Sequence, residues 1–266
     1  MNILTKFGHA LRLAPTRPVE FCDRVTAYVE ARWQRGKSSA TYTSLPFWEG
    51  LHWLEERTGL SLRTYLEEQA FHEIQTFTQE RLNQLPAGTG FARSHDADTA
   101  LAGCVYAFVR AIAAKTVVET GVAHGVSTAF ILQALAENGR GGRLFSIDLP
   151  PLARDGDRYV GLAVPEHLRP TWHLEIGPSK RRLPAVLSRA GVLDVFLHDS
   201  LHTESNMRLE FKLAWDSLRK GGVLISDDVE ENPAFRDFVE EEEPCVSLVL
   251  RQMGKDSLVG LMVKDG

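Results

Sequence analysis

Apolar positions fall into two alternating periods over the last three fifths of the chain. Short runs rich in Val, Ile, Leu and Phe at 116–120, 143–148, 172–176, 194–198 and 223–226 read as buried strands. Between them, 127–137, 180–189 and 203–218 carry apolar residues at helical spacing, and Asn138-Gly139 supplies a stop for the first of these. Apolar strands separated by amphipathic helices predict a parallel sheet covered on both faces, with right-handed crossovers. Asn232-Pro233 opens a last helix with Phe235, Phe238 and Val239 inward, ending at Pro244. Segments 246–250 and 258–263 around Gly254 then predict an antiparallel hairpin. The stretch 149–170 has neither period, and irregular loops of that length are usually functional or act as lids.

The first third reads differently. Phe21, Val25, Val29 and Trp33 mark one face of a helix from Pro18, and Gly36 follows. Ser44 is placed to cap a short helix with Phe47, Leu51 and Leu54, ending near Gly59. Ser61 opens a longer helix with Leu62, Leu66, Ile74 and Phe77 on one side, until Pro86. After PAGTG, residues Leu101, Val105, Phe108 and Ile112 predict the helix before the first strand. Trp33, Trp48 and Trp53 are dense here and read as filling of this helical region or as a dimer contact, ahead of a substrate-binding wall. The division expected is 1–95, helical, as lid or dimer contact, and 96–266, α/β.

Composition narrows the partners. The 266 residues are 44% hydrophobic, enough for one sizeable core, and the net charge of -5 argues against a general nucleic-acid binder. Cys22, Cys104 and Cys245 are far apart and show no C-x-x-C spacing, as expected in a reducing cytoplasm. The opening MNILTKFGHALRLAPTRP reads as no signal peptide, and no apolar run approaches the ~20 residues that cross a bilayer. Small molecules, or a second copy of the chain, are the partners expected.

Chemistry concentrates at predicted strand ends. In Val117-Val118-Glu119-Thr120-Gly121-Val122-Ala123-His124-Gly125-Val126-Ser127-Thr128 a strand, a glycine turn and a helix start follow directly. Gly121 and Gly125 would let backbone approach a ligand, Ser127 would cap the helix, and the free N–H groups would face it. Glu119 would repel a pyrophosphate but not a cationic sulfonium. The G-x-x-x-G spacing also departs from the G-x-G-x-x-G of dinucleotide folds. Asp148, Asp199, Asp227 and Asp228 end further strands, so a charged rim is expected where such sheets bind ligands. His124, in the glycine turn, reads as a cofactor-side or solvent contact.

ETGVAHGVST resembles the first motif of class I S-adenosylmethionine-dependent methyltransferases, and the resemblance runs over residues 101–263. It implies a doubly wound, mostly parallel seven-stranded sheet, with S-adenosyl-L-methionine held by Glu119, Gly121, Gly125, Ser127, Thr128, Asp148 and Ser179. Asp148 would take the ribose hydroxyls. Gly177-Pro178-Ser179 lacks the acid common after the third strand, leaving Ser179 for the adenine side. FLHDSLHTESNMRLEFKLAWDSLRKGGVLISDDV is similar to the D-x-x-H and G-G-x-x-x-x-D-D pattern of catechol-type and macrocin-type O-methyltransferases and cephalosporin-hydroxylase-like proteins. That implies a metal triad of Asp199, Asp227 and Asp228, suited to Mg²⁺, or, alternatively, plain turn caps. His202, three residues after Asp199, is the expected general base together with catalytic Asp199, and His198 is its rival. The activity expected is methylation of a hydroxyl on a sugar, glycoside or catechol-like acceptor. A cephalosporin-hydroxylase-like or non-catalytic cofactor binder, and an NAD-dependent oxidoreductase, are the alternatives.

Overall fold

The computed structural model describes residues 15–34, 41–85, 91, 96–152, 156–253 and 256–265. Gly36, the PAGTG segment and the Gly254 turn lie outside them. The first third forms α1 (Pro18–Gln34), β1 (Leu45–Pro46), α2 (Phe47–Thr58), a 3-10 turn (Arg63–Glu67) and α3 (Gln69–Asn83). Next come α4 (Thr99–Ala111), β2 (Thr116–Thr120), α5 (Val126–Asn138), β3 (Arg143–Asp148), β4 (Trp172–Ile176) and α6 (Ser179–Ala190). The chain continues through β5 (Leu193–His198), α7 (Glu204–Ser217), β6 (Leu218–Ser226), α8 (Ala234–Glu242), β7 (Val246–Arg251) and β8 (Leu258–Val263).

The strands form one sheet in the order β1-β7-β8-β6-β5-β2-β3-β4, with β8 antiparallel to both its neighbours. From β2 the chain steps outward to β3 and β4, then returns across β2 to lay down β5 and β6. The order therefore reverses between β2 and β5, where an open α/β sheet offers a crevice at its carboxyl ends. The strand beyond the seven expected is β1, a two-residue edge in which Leu45 and Pro46 pair with Leu250 and Arg251. Proline is tolerated there because an edge strand can lack an N–H. Pro46, not Ser44, is then the N-cap of α2, and it makes no side-chain capping bond.

Each sheet face has its own core. Phe211, Trp215, Phe235 and Phe238 from α7 and α8 join Leu183 and Val186 of α6 on one face. On the other, α4 is buried on every side from Ala100 to Val109, as an all-apolar helix must be, and Phe47, Leu51, Leu62, Phe71 and Ile74 pack over it and α5. Glu68 ties this outer layer down. Its carboxylate accepts from Arg110 Nη2 at 2.6 Å, Arg110 Nε at 2.9 Å and Tyr106 Oη at 2.7 Å. Glu68 also breaks the long helix expected from Ser61 onward, since its extended backbone separates the 3-10 turn from α3.

The face expected inward on α1 is covered only in its first half, where Phe21 and Val25 are half-buried. Val29 and Trp33 are exposed, Trp33 to 63%, whereas Asp23 is buried. Arg24 Nη2 donates to Pro150 O at 2.9 Å, and Asp23 pairs with Lys180 Nζ at 2.8 Å and with Arg181. Glu30 accepts from Ser205 Oγ at 2.7 Å, and Gln34 Oε1 from Glu204 N at 3.3 Å. Thus α1 bridges the segments following β3, β4 and β5. Among the described residues no helix is long and apolar enough to cross a membrane.

Candidate functional site

The crevice begins with the turn after β2. Gly121 (φ 88°), Ala123 (φ 47°) and Gly125 (φ 90°) all occupy left-handed backbone, a strained conformation for Ala123. The glycines are required by chain packing, whether or not a ligand also meets their backbone. A Cβ on Gly121 would stand 1.8 Å from Asp199 O, and one on Gly125 would stand 2.7 Å from Gly161 Cα. The long 149–170 segment is accordingly no detached loop. Its Gly161 and Ala163 N–H groups donate to the carbonyls of Ala123 and His124 at 3.0 and 2.7 Å, backing the turn from behind.

Glu119 lies beneath the crevice rather than in it. Its fully buried carboxylate accepts from Ser127 Oγ at 2.6 Å, Thr128 Oγ1 at 2.7 Å and Ser146 Oγ at 2.8 Å. Burial pushes its pKa up to about 7, against the three hydroxyl bonds that favour the anion. Glu119, Ser127 and Thr128 thus staple a strand end to the start of α5. The cap of that helix is Gly125 rather than Ser127. His124 is not a solvent contact. It is buried with Nδ1 at 2.9 and 3.0 Å from the oxygens of Asp96.

Asp148 reaches the crevice from the end of β3. Its Oδ2 accepts from the N–H groups of Val122 and Ala123 at 2.7 and 2.8 Å, fixing the strained turn. Oδ1 has no hydrogen-bond partner among the described residues, so one oxygen remains for a ligand hydroxyl. Burial raises its pKa, with the two backbone bonds and Arg24 opposing. Ser179, at the first turn of α6, donates to Asn206 Oδ1 at 3.4 Å.

The rim beyond β5 and β6 gathers around His202, whose side chain is 18% exposed. Nε2 lies 3.9 Å from Asp199 Oδ1, and Nδ1 lies 3.4 Å from Asp228 Oδ2. Asp228 has φ 48°, a second strained residue at this rim. Asp227 is turned elsewhere and accepts from Gln252 Nε2. The three aspartates therefore do not fit a Mg²⁺ site. One is bonded to an amide N–H, the other two flank an imidazole, and no group of three ligating side chains comes close enough among the described residues. His198, the rival base, is fully buried, with Nδ1 at 2.7 Å from Glu210 Oε2 and its ring meeting His202 edge-on at 5.3 Å. A separate cleft of about 640 Å³ opens between α3, α4, α5 and Met253, lined by Gln75, Gln79, Asp98 and Phe130.

Sheet order, turn and acid rim define the class I methyltransferase fold. A family model described as a methyltransferase domain matches residues 118–229 of the chain. No curated protein matches it by sequence. Among solved structures it is similar to an O-methyltransferase from Bacillus cereus in complex with SAH, at 16% identity and TM-score 0.54, over 81% of this chain and 97% of that one. It is likewise similar to TomG, an O-methyltransferase from Streptomyces achromogenes involved in tomaymycin synthesis and bound to SAM, at 15% identity and TM-score 0.55, over 81% and 96%. SAH-bound PaMTH1, a methyltransferase from Podospora anserina, aligns over 93% and 97% at 13% identity and TM-score 0.51. At these identities the likeness is one of fold.

Two outcomes are expected. Because the folded pKa of Glu119 lies above its unfolded value near 4.5, the native state binds the extra proton between about pH 4.5 and 7. The stability this group supports is full below that window and declines across it, by at most about 1.4 kcal/mol per pH unit. Urea unfolding of Glu119→Gln beside the parent chain should show a shallower decline in the variant, and parallel curves would contradict the assignment. Separately, treatment with EDTA followed by Mg²⁺ should leave the thermal midpoint unmoved. A Mg²⁺-dependent rise would show that the aspartates regroup around the ion.

Proposed function

We propose that the chain is an S-adenosyl-L-methionine-dependent O-methyltransferase acting on a hydroxyl of a small molecule, with His202 as general base. The observation that carries this reading is the placement of His202 between Asp199 and Asp228, on the segment whose Asp199 backbone packs against Gly121. Neighbours of the same fold are O-methyltransferases with SAM or SAH bound, which supports the choice of donor.

When bound, S-adenosyl-L-methionine supplies an electrophilic methyl on a positive sulfur, which keeps the bonding pair as the methyl passes to the acceptor oxygen. Asp148 Oδ1 is the candidate acceptor of a bond from the ribose, and Ser179 lies on the adenine side. The acid rim of Asp148, Asp199 and Asp228 suits a cationic donor through charge. His202 takes the hydroxyl proton, and the flanking carboxylates stabilise the imidazolium that results, as a buried acid does for a histidine base in hydrolases. The chain needs no further covalent chemistry. Its work is to hold the acceptor oxygen in line with the methyl.

The role we assign to α1 is that of a lid over this rim. Support comes from its ties to Pro150, Lys180, Arg181, Glu204 and Ser205, which span the segments that would border the donor. Those ties are polar and partly exposed, so each holds the helix by about 1 kcal/mol or less.

His202→Ala should lower kcat by roughly 10²- to 10⁴-fold while calorimetric affinity for S-adenosylhomocysteine stays near that of the parent chain. Screening sugars, glycosides and catechols for S-adenosylhomocysteine release supplies the assay, and an unaffected kcat would remove His202 from the mechanism. Asp23→Ala should speed S-adenosylhomocysteine release in stopped flow by roughly fivefold, the equivalent of about 1 kcal/mol of closure. An unchanged release rate would mean that α1 does not cover the donor.

A further inference from the structure

Glu210 takes no part in the steps above, yet four donors from different segments converge on its buried carboxylate. Oε2 accepts from Thr120 Oγ1 at 2.5 Å and His198 Nδ1 at 2.7 Å. Oε1 accepts from Ser200 Oγ and from Asn206 Nδ2, both at 2.9 Å. Thr120 is the last residue of β2, directly before Gly121, and Ser200 directly follows Asp199. Asn206 Nδ2 also reaches Leu201 O at 3.1 Å, so the segment that carries Asp199 and His202 wraps around this one point. The His198 ring held by Glu210 meets the His202 ring at 5.3 Å and 78°.

A buried carboxylate with this many donors is a positional device. Although burial alone would raise its pKa, the His198 charge and the bonds outweigh that and hold Glu210 at about 2, as an anion. Segment 199–203 has no helix or strand of its own to hold it. Its backbone is fixed by Asp199 N–H donating to Thr120 O at 2.8 Å and by the press of Gly121 against Asp199 O. Of its side chains, Ser200 bonds Glu210 directly, and His202 meets the His198 ring that Glu210 holds.

Resting on the methyltransferase reading, we propose that Glu210 is a positioning residue for methyl transfer, setting where Asp199 and His202 stand relative to the turn after β2. It touches no reacting atom and acts through His198, Ser200, Thr120 and Asn206. Glutamine is the informative replacement. Its amide has one acceptor end, so whichever way it turns, either His198 Nδ1–H or the Asn206 amide meets an N–H group.

The test compares Glu210→Gln with the parent chain. Expected are a kcat lower by roughly 10- to 100-fold, as for a sub-ångström to 1 Å misplacement, and S-adenosylhomocysteine affinity within about threefold by calorimetry. ¹H–¹⁵N spectra should show the His198 Nδ1–H donating to Glu210 in the parent chain, and either the His198 ring signal or the Asn206 side-chain amide signal altered in the variant. A folded Glu210→Gln with parental kcat overturns the proposal. Should that variant not fold, Ser200→Ala and Thr120→Val each remove one donor, and an undiminished kcat in both overturns it equally. If the parent chain methylates no acceptor, the functional reading fails by itself. The spectra then still decide the tie, since a Glu210→Gln variant in which both the His198 ring signal and the Asn206 side-chain amide signal stay unchanged would refute it.

Discussion

The turn after β2 and the turn after β5 touch backbone to backbone, and the site is organised by that contact. With the Asp199 carbonyl 1.8 Å from where a Gly121 Cβ would stand, no side chain can be placed there without separating the two turns. The contact falls at the point where strand order reverses, so the crevice characteristic of such sheets is narrow at its floor. What is left open is the rim above, and the residues lining it are those that leave the strands last: Asp148, Asp199, His202 and Asp228. Strain follows from the same closeness, since Ala123 and Asp228 hold left-handed backbone on either side of it. Such conformations persist only where surrounding bonds over-determine them. For Ala123 those bonds are visible in the Asp148 carboxylate and the Gly161 N–H.

Acids in this fold divide into two kinds by where their charge is answered. Glu119 and Glu210 are fully buried, and protein donors answer each carboxylate: three hydroxyls for one, and two hydroxyls, an imidazole and an amide for the other. Burial prevails over the bonds for Glu119 and yields to them for Glu210, where a histidine adds charge. These two tie strand ends to helices. Asp148 is intermediate, with one oxygen spent on the turn and one left over. Asp199 and Asp228 flank His202 at 3.4 to 3.9 Å, distances at which charge acts without a short hydrogen bond.

Much of the fold was legible because strand and helix periods are unmixed after residue 115. The segments expected from apolar runs at 116–120, 143–148 and 172–176 coincide with β2, β3 and β4. The site was legible only as a neighbourhood. Strand-end acids and the D-x-x-H spacing located the rim, but spacing says nothing of which way a side chain turns, and so Glu119 and Asp227 were assigned to ligands although they face protein donors. Glu210 carried a usable signal. It stands among Met207, Phe211 and Ala214 on the apolar stripe of α7, and an acid at a core position of a helix must have partners waiting for it. Asp23 gave none, because its partners lie more than 150 residues away.

That long-range pairing explains why α1 buries Asp23 while Val29 and Trp33 stay exposed. Apolar periodicity orients a helix only when the surface it meets is apolar, and α1 meets turns rich in charge and free N–H groups. Burying Val29 and Trp33 would stabilise a docked helix by about 1.5–3 kcal/mol per side chain, whereas partly exposed ion pairs contribute about 0–1 kcal/mol each and weaken with salt. A helix docked by the first means would be held more firmly. Docked by the second, it is held to the segments after β3, β4 and β5 with little free energy opposing its release, which is what the lid role proposed for it requires.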